Sequence, residues 1–357
     1  MLNIEEVFSE AIQTVLKEQG MVNILIAGRS GVGKSTLINA VFQKNIAETG
    51  QGRPITRDTR EITKEGVPIT ILDTRGLEIS QYEETLKELE HVISERNRDR
   101  DSNRHIHAAW LCIQEDGRRV EQAEIDLYTM LSAYVPVVSV ITKARNDCGF
   151  KVEVQKLLPE CKNVTRVRAI QETLDDGHIL PPVGLKELVE LTSEIIPDGK
   201  RRAFAASQKA NIDYTKEQAH QIVAASALAA AAAGATPIPF SDAIVLVPIQ
   251  VGMIVGVSAV FGLDISKASI SSLLSSIVGA SSATVIGRTL VVNALKLIPG
   301  AGSVVGGAIS ATTASALTLA LGKAYIEVLA KIFSENPDAI PNEQNIGQLL
   351  KEEMQKA

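Results

Sequence analysis

Short apolar runs and helix-like patterns alternate through the first half of the chain. The stretches "MVNILIAG", "VPITILDT", "HAAWLCIQ", "VPVVSVITKA" and "NVTRVRAI" are nearly continuous in apolar and β-branched residues. Runs of that kind belong to strands covered on both faces. Between most of them, "KSTLINAVFQK", "VEQAEIDLYTMLSAY" and "GLKELVELTSEI" carry apolar residues at helical spacing. Such alternation predicts an α/β domain over residues 21–198, a doubly wound, mostly parallel sheet with helices on both faces.

Beyond residue 198 the pattern changes. Residues 199–220 read as a polar helical connector. Residues 221–335 are rich in Ala, Gly, Ser and Val, with uncharged windows at 243–263, 268–287 and 297–322. They predict a second, all-α domain. Residues 336–357 turn polar again and end in an amphipathic helix. The first 20 residues are amphipathic and acidic, without a basic leader or a continuous apolar core, and read as a docking helix rather than a signal peptide.

The window 243–263 holds 21 uncharged residues, enough at about 1.5 Å rise to cross a hydrocarbon core of about 30 Å. Against a membrane span stand Pro248 inside the run, the dominance of Gly and Ala, and the charges Lys267, Arg288 and Lys296. Gly252 and Gly256, and Gly302 and Gly306, have the small-xxx-small spacing that permits close helix contact in lipid or in a water-excluded bundle. Both readings stand, with membrane association slightly favoured because so much uncharged surface needs cover. The basic "KRRAF" at 200–204 fits an anionic lipid surface or a solvated linker.

Composition narrows the classes. A chain of 357 residues with 45% hydrophobic and 22% charged residues is globular and long enough for two domains. A net charge of -6 argues against general nucleic-acid binding. Cys112, Cys148 and Cys161 lack metal-ligand spacing and suit a reducing cytoplasm. His105 and His107 flank a strand start, but no third metal ligand accompanies them.

Chemistry concentrates where the first apolar run ends. Within "IAGRSGVGKSTLINAVF", the segment 28–35 fits G-x-x-x-x-G-K-[ST] between a strand and a helix. Glycines there turn backbone N–H groups toward phosphate oxygens, and the helix N-terminus adds partial positive charge. The loop Gly28, Arg29, Ser30, Gly31, Val32, Gly33, Lys34, Ser35 and Thr36 is the candidate phosphate site. Lys34 suits the β- and γ-phosphates, and the Ser35 hydroxyl suits Mg²⁺. Downstream, "ILDTRG" places Asp73 at a strand end for the Mg²⁺ shell and Gly76 for a γ-phosphate contact. The polar "GRPITRDTREI" between them offers Thr56 as a switch residue closing on Mg²⁺ and γ-phosphate, with Thr59 and Thr49 as alternatives.

With "VVSVITKARND" added, the series resembles the translation-factor-related P-loop GTPases over residues 21–196. That resemblance implies GTP/GDP and Mg²⁺ as ligands and GTP hydrolysis as the activity, with Lys34, Thr56 and Gly76 at the reaction centre and Ser35, Thr56 and Asp73 around the metal. It also implies base contacts at Thr142, Lys143 and, in "VRA", Ala169. One position departs: Arg145 stands where the family carries the guanine-binding aspartate, and Asp147 is two residues further on. Leu77 follows Gly76 where Ras-like members carry a water-orienting glutamine, which implies slow hydrolysis unless a partner, a second copy or a loop arginine (Arg29, Arg53, Arg57 or Arg75) assists. Gly31 resembles septin-like, chloroplast-import and immunity-related members, which implies pairing across the nucleotide sites as a homodimer.

The segment "ATPIPFSDA" followed by "PIQVGMI" resembles an uncharacterised hydrophobic helical domain of some bacterial GTPases and YcjF-like envelope proteins. Together these features point to a nucleotide-gated switch or remodelling GTPase at the cytoplasmic face of a bacterial inner membrane. Two alternatives stay open: a ribosome- or RNA-associated assembly GTPase, and a nucleotide-gated scaffold with negligible turnover.

Overall fold

The computed structural model describes residues 4–43, 46, 51–54, 59–74, 82–158, 161, 163–234, 242–278 and 311–356. Two compact units emerge, Gly20–Asn211 and the combination of Met1–Gln19 with Ile212–Ala357. The first helix, α1 (Ile4–Gln19), thus belongs with the C-terminal half.

The α/β unit runs β1 (Val22–Gly28), α2 (Lys34–Val41), β2 (Gln51–Pro54), β3 (Thr59–Thr63), β4 (Ile69–Thr74), α3 (Tyr82–Asn97), β5 (Ala108–Gln114), α4 (Gln122–Ser132), β6 (Val137–Thr142), α5 (Phe150–Leu157) and β7 (Val164–Val167). A short hairpin, β8 (Glu172–Thr173) and β9 (Ile179–Leu180), precedes α6 (Leu185–Ile195) and α7 (Arg201–Ser207). Among the described residues, seven strands form one sheet in the order β2-β3-β4-β1-β5-β6-β7. The block from β4 to β7 is parallel, whereas β2 and β3 pair antiparallel at the edge. The α/β expectation holds.

Burial explains the uninterrupted apolar runs. Every residue of β1 and of β6 is buried, because helices cover both faces. On one face Leu25, Leu111 and Ile141 pack with Leu89 and Ile93 of α3 and Leu127 and Leu131 of α4. A separate aromatic group fixes α7: Phe42 stacks on Trp110 at 5.5 Å and meets Phe204 edge-on at 6.4 Å. The Trp110 indole N–H donates to Thr192 Oγ1 of α6 at 3.0 Å. The chain leaves β1 for β4 on one side and then crosses to β5 on the other, so β1 lies at the reversal of strand order. In open α/β sheets the carboxyl end of that strand borders the ligand crevice.

The helical unit adds α8 (Ile212–Gly234), α9 (Asp242–Val260), α10 (Lys267–Val278), α11 (Ala311–Glu335) and α12 (Glu343–Met354) to α1. Gly322 sets the approach of α11 to α8: a Cβ there would stand 2.5 Å from the Val223 methyl groups. The apolar α9 is buried around its circumference, with Leu246, Val247, Val251, Ile254, Val257 and Val260 all at 2% exposure or less. It packs against α1, α8 and α11, which is how an all-round apolar helix is accommodated in a protein interior. Gln19 Nε2 donates to the Ala259 carbonyl at 3.2 Å, and Ser258 Oγ lies 2.8 Å from the Tyr325 hydroxyl. Among the described residues no helix is long and apolar enough to cross a membrane. The uncharged windows 268–287 and 297–322 extend outside the described residues, as do Gly302 and Gly306. The polar C-terminal segment forms α12, which buries Ile346, Leu350 and Met354 and places Gly347 against Ser276 of α10.

Candidate functional site

The segment between β1 and α2 is built from glycines in conformations that side chains avoid. Gly28, Gly31 and Gly33 have φ of 146°, 76° and 100°. Gly28 lies opposite Cys112 in the parallel register, and a Cβ there would come within 2.4 Å of the Cys112 carbonyl oxygen. Only glycine lets the chain leave the sheet at that point. Gly33 then starts α2 from the left-handed region, which turns the first free N–H groups of the helix toward the loop.

Lys34 is folded into this loop. Its side chain is buried, and Nζ donates to the carbonyls of Gly28 at 2.8 Å and Arg29 at 3.1 Å. Burial holds its pKa below the ordinary lysine value, opposed by the field of Asp73. Ser35 and Thr36 are exposed at the start of α2. The Arg29 guanidinium pairs with Glu121, at the start of α4, at 2.5 Å. On the opposite wall the Thr142 hydroxyl donates to the Val32 carbonyl at 2.7 Å, tying the end of β6 to the loop.

Asp73, at the end of β4, has its pKa raised by burial, with Lys34 and Arg60 working against the shift. Its Oδ2 accepts from Arg60 at 3.3 Å, while Oδ1 is buried and, among the described residues, has no hydrogen-bond partner, as is the case for the neighbouring Thr74 Oγ1. A buried carboxylate oxygen with no donor is costly. It fits a hard, oxygen-seeking cation such as Mg²⁺. Of the threonine candidates, Thr59 is buried in β3 opposite Thr74. Thr49, Thr56, Arg57, Arg75, Gly76 and Leu77 lie outside the described residues, and Arg53 is placed only as part of β2.

Beside the loop opens a pocket of about 250 Å³ whose walls include Val32, Gly33, Thr36, Thr142, Lys143 and Ala169. Lys143 has a positive φ of 54°, and the backbone N–H groups of Arg145 and Asn146 both donate to the buried Glu115 carboxylate. Glu115 also accepts from Arg166 at 2.6 Å. This carboxylate fixes the loop that follows β6, and sequence reading missed it because a lone glutamate after a strand carries no motif. Asp147 turns elsewhere: its Oδ1 accepts the Lys151 N–H at 2.9 Å and faces Arg166 at 3.3 Å.

The histidine pair is structural. His107 Nδ1 accepts the Asn23 N–H at 2.9 Å, which leaves Nε2 to donate to the Ser102 carbonyl at 3.0 Å. Burial lowers its pKa to about 4. Among the described residues no His, Cys, Asp and Glu grouping suits a metal ion. Burial likewise pushes the Cys112 thiol up to about 12, which leaves it inert.

A glycine loop around a buried lysine at the carboxyl end of the switch-point strand, facing a part-buried aspartate, defines the P-loop nucleotide-binding class. Family comparison specifies it further: residues 23–143 match the family described as "50S ribosome-binding GTPase", and residues 200–357 match "Domain of unknown function (DUF697)". The chain therefore carries a P-loop GTPase domain of the first family joined to a DUF697 domain. It is similar to the tRNA modification GTPase MnmE of Erwinia tasmaniensis, with 32% identity over 54% of this chain and 36% of that protein. Septin-9 of Homo sapiens is 28% identical over 40% of this chain and 29% of its own length. The chain thus spans about a third of the length of these curated relatives. A solved structure of a probable GTP-binding protein, engB, aligns with 49% of this chain and 98% of its own, at 19% identity and a TM-score of 0.33.

Proposed function

We propose that the protein is a guanine-nucleotide switch that hydrolyses GTP to GDP and phosphate. What supports this most is Lys34, a buried ammonium inside a glycine loop that faces the Asp73 carboxylate. In this reading the loop from Gly28 to Thr36 wraps the phosphates, Lys34 bridges β- and γ-oxygens, and Thr142, Lys143 and Ala169 border the base. Ser35, Thr56 and Asp73 are the oxygen ligands assigned to Mg²⁺, which when bound neutralises charge on the β- and γ-phosphates. Thr56 and Gly76 close on the γ-phosphate and release with GDP.

Turnover by the isolated chain is slow, since Leu77 cannot orient water, and a partner or a second copy pairing across the nucleotide sites accelerates it. The nucleotide state is read out by the DUF697 half, which we place at a membrane surface on the strength of its uncharged windows. Phosphate release by the full chain, with and without liposomes, tests the enzyme reading. Lys34→Ala should abolish release, and undiminished release by that variant would refute the site. Flotation with vesicles only in the GTP-analogue state supports the gated membrane role; absence from vesicles in every nucleotide state would remove it.

A further inference from the structure

The helix that begins at the nucleotide loop ends on the segment that leads into the DUF697 half. α2 runs from Lys34 to Val41, and the Val41 carbonyl accepts the Lys209 N–H at 2.8 Å. Phe42, which closes α2, pairs with Gln208 as an isolated antiparallel bridge, and Gln43 Nε2 donates to the Gln208 carbonyl at 3.3 Å. Gln208 in turn fixes the residues that follow it. Its Nε2 donates to the Asn211 carbonyl at 3.0 Å, and its Oε1 accepts the Asn211 N–H at 2.8 Å. Asn211 Nδ2 donates to Glu190 of α6 at 3.2 Å. Gln208 and Asn211 are each 2% exposed, and α8 starts at the next residue, Ile212. A solvated linker would have exposed side chains and free amides; this junction is buried and bonded to the end of the P-loop helix.

We propose that the junction Gln208–Asn211 clamps the last turn of the P-loop helix, so that a nucleotide at the first turn of α2 stabilises the entry to the DUF697 half and is stabilised by it in return. This rests on the nucleotide reading above and extends it to regulation. A helix of eight residues is too short to persist alone, so α2 depends on what holds its two ends. At one end are the loop and Lys34, where a phosphate adds bonds to the free N–H groups. At the other are Val41, Phe42 and Gln43, held by Gln208 and Lys209. Helical hydrogen bonds break cooperatively, and a ligand that binds only the closed form makes every opening that disrupts its site less frequent. Opening of the junction frees the last turn of α2, so it belongs to that set. The aromatic group joins the same unit, since Phe42 stacks on Trp110 and meets Phe204 of α7. Coupling of this kind is reciprocal. Gln208 and Lys209 are therefore positioning residues for the nucleotide loop, although neither belongs to it.

Hydrogen exchange of the full chain, followed by mass spectrometry with and without GDP, tests the clamp. In wild type GDP should slow exchange over residues 28–41 and also over 204–216, there by at least about fivefold, the lower end of coupling between sites. Lys209→Pro deletes the N–H that Val41 accepts and asks little of Gln208, whose φ of -99° and ψ of 156° suit the residue before a proline. In that variant GDP should still protect residues 28–41 but no longer 204–216, and GDP affinity should fall about three- to tenfold as the closed loop becomes less populated. Gln208→Ala, which removes both bonds to Asn211, should act in the same direction. The wild-type comparison decides without either variant. Protection of residues 28–41 with no change over 204–216 would overturn the clamp and leave the nucleotide reading intact, as would full GDP protection of 204–216 in both variants. No effect of GDP on either segment of wild type would overturn both.

Discussion

Gly28 and Cys112 face each other across β1 and β5, and the Cβ of any larger residue at 28 would lie 2.4 Å from the Cys112 carbonyl oxygen. The φ of Gly28, 146°, adds a second reason for glycine. Gly28→Ala must therefore displace the loop that Lys34 is bonded to, at a cost of about 1–3 kcal/mol in strain. Thermal melting should show the lower stability, and nucleotide affinity should fall at least about tenfold. An alanine variant that melts and binds like wild type would mean that the loop is placed differently.

Glu115 is 2% exposed and accepts from Arg145, Asn146 and Arg166. Its removal takes one carboxylate from the part-buried Arg166, which keeps Asp147 at 3.3 Å, and leaves two amides without their acceptor, a loss of about 1–3 kcal/mol for unsatisfied hydrogen-bonding groups. Glu115→Ala should lower the denaturation midpoint strongly. The milder Glu115→Gln should fold and show weakened nucleotide binding, because the loop carrying Lys143 loses its anchor.

His107 gives the stability a defined pH dependence. Its folded pKa is depressed to about 4 against an ordinary 6.5, so between these values the unfolded chain binds a proton that the folded chain does not. Stability therefore falls as pH drops from about 6.5 to 4, by about 3 kcal/mol from this residue. Chemical denaturation across that window should show the slope, and His107→Gln should flatten it.

Gly322 lets α11 approach α8. Gly322→Val should destabilise the helical unit by at least about 2 kcal/mol through overpacking. Urea melts followed by far-ultraviolet circular dichroism would register the change, and a neutral effect would contradict the close approach.

Much of the α/β unit was legible because burial on both faces writes itself as unbroken apolar runs, as in Val22–Gly28 and Val137–Thr142. The edge strand Gln51–Pro54 and its neighbour Thr59–Thr63 were not, since their polar residues lack the unbroken apolar run of the central strands. The two-residue strands of the hairpin at Glu172 are too short to show a period. In the helical half, periodicity predicted helices but not their grouping. Nothing local in residues 4–19 signals that they pack beside Asp242–Val260. At the site, Gly28, Lys34 and Asp73 announced themselves by motif. Glu115 acts through a contact 30 residues away along the chain, at Arg145, a relationship no spacing rule contains.

The most direct measurement is equilibrium binding of GDP to the full-length wild-type chain and to Lys34→Ala. Saturable binding to wild type that weakens at least about a hundredfold in the variant is the expected result. Equal binding by both, or none by wild type, would contradict the assignment of a nucleotide to the loop around Lys34.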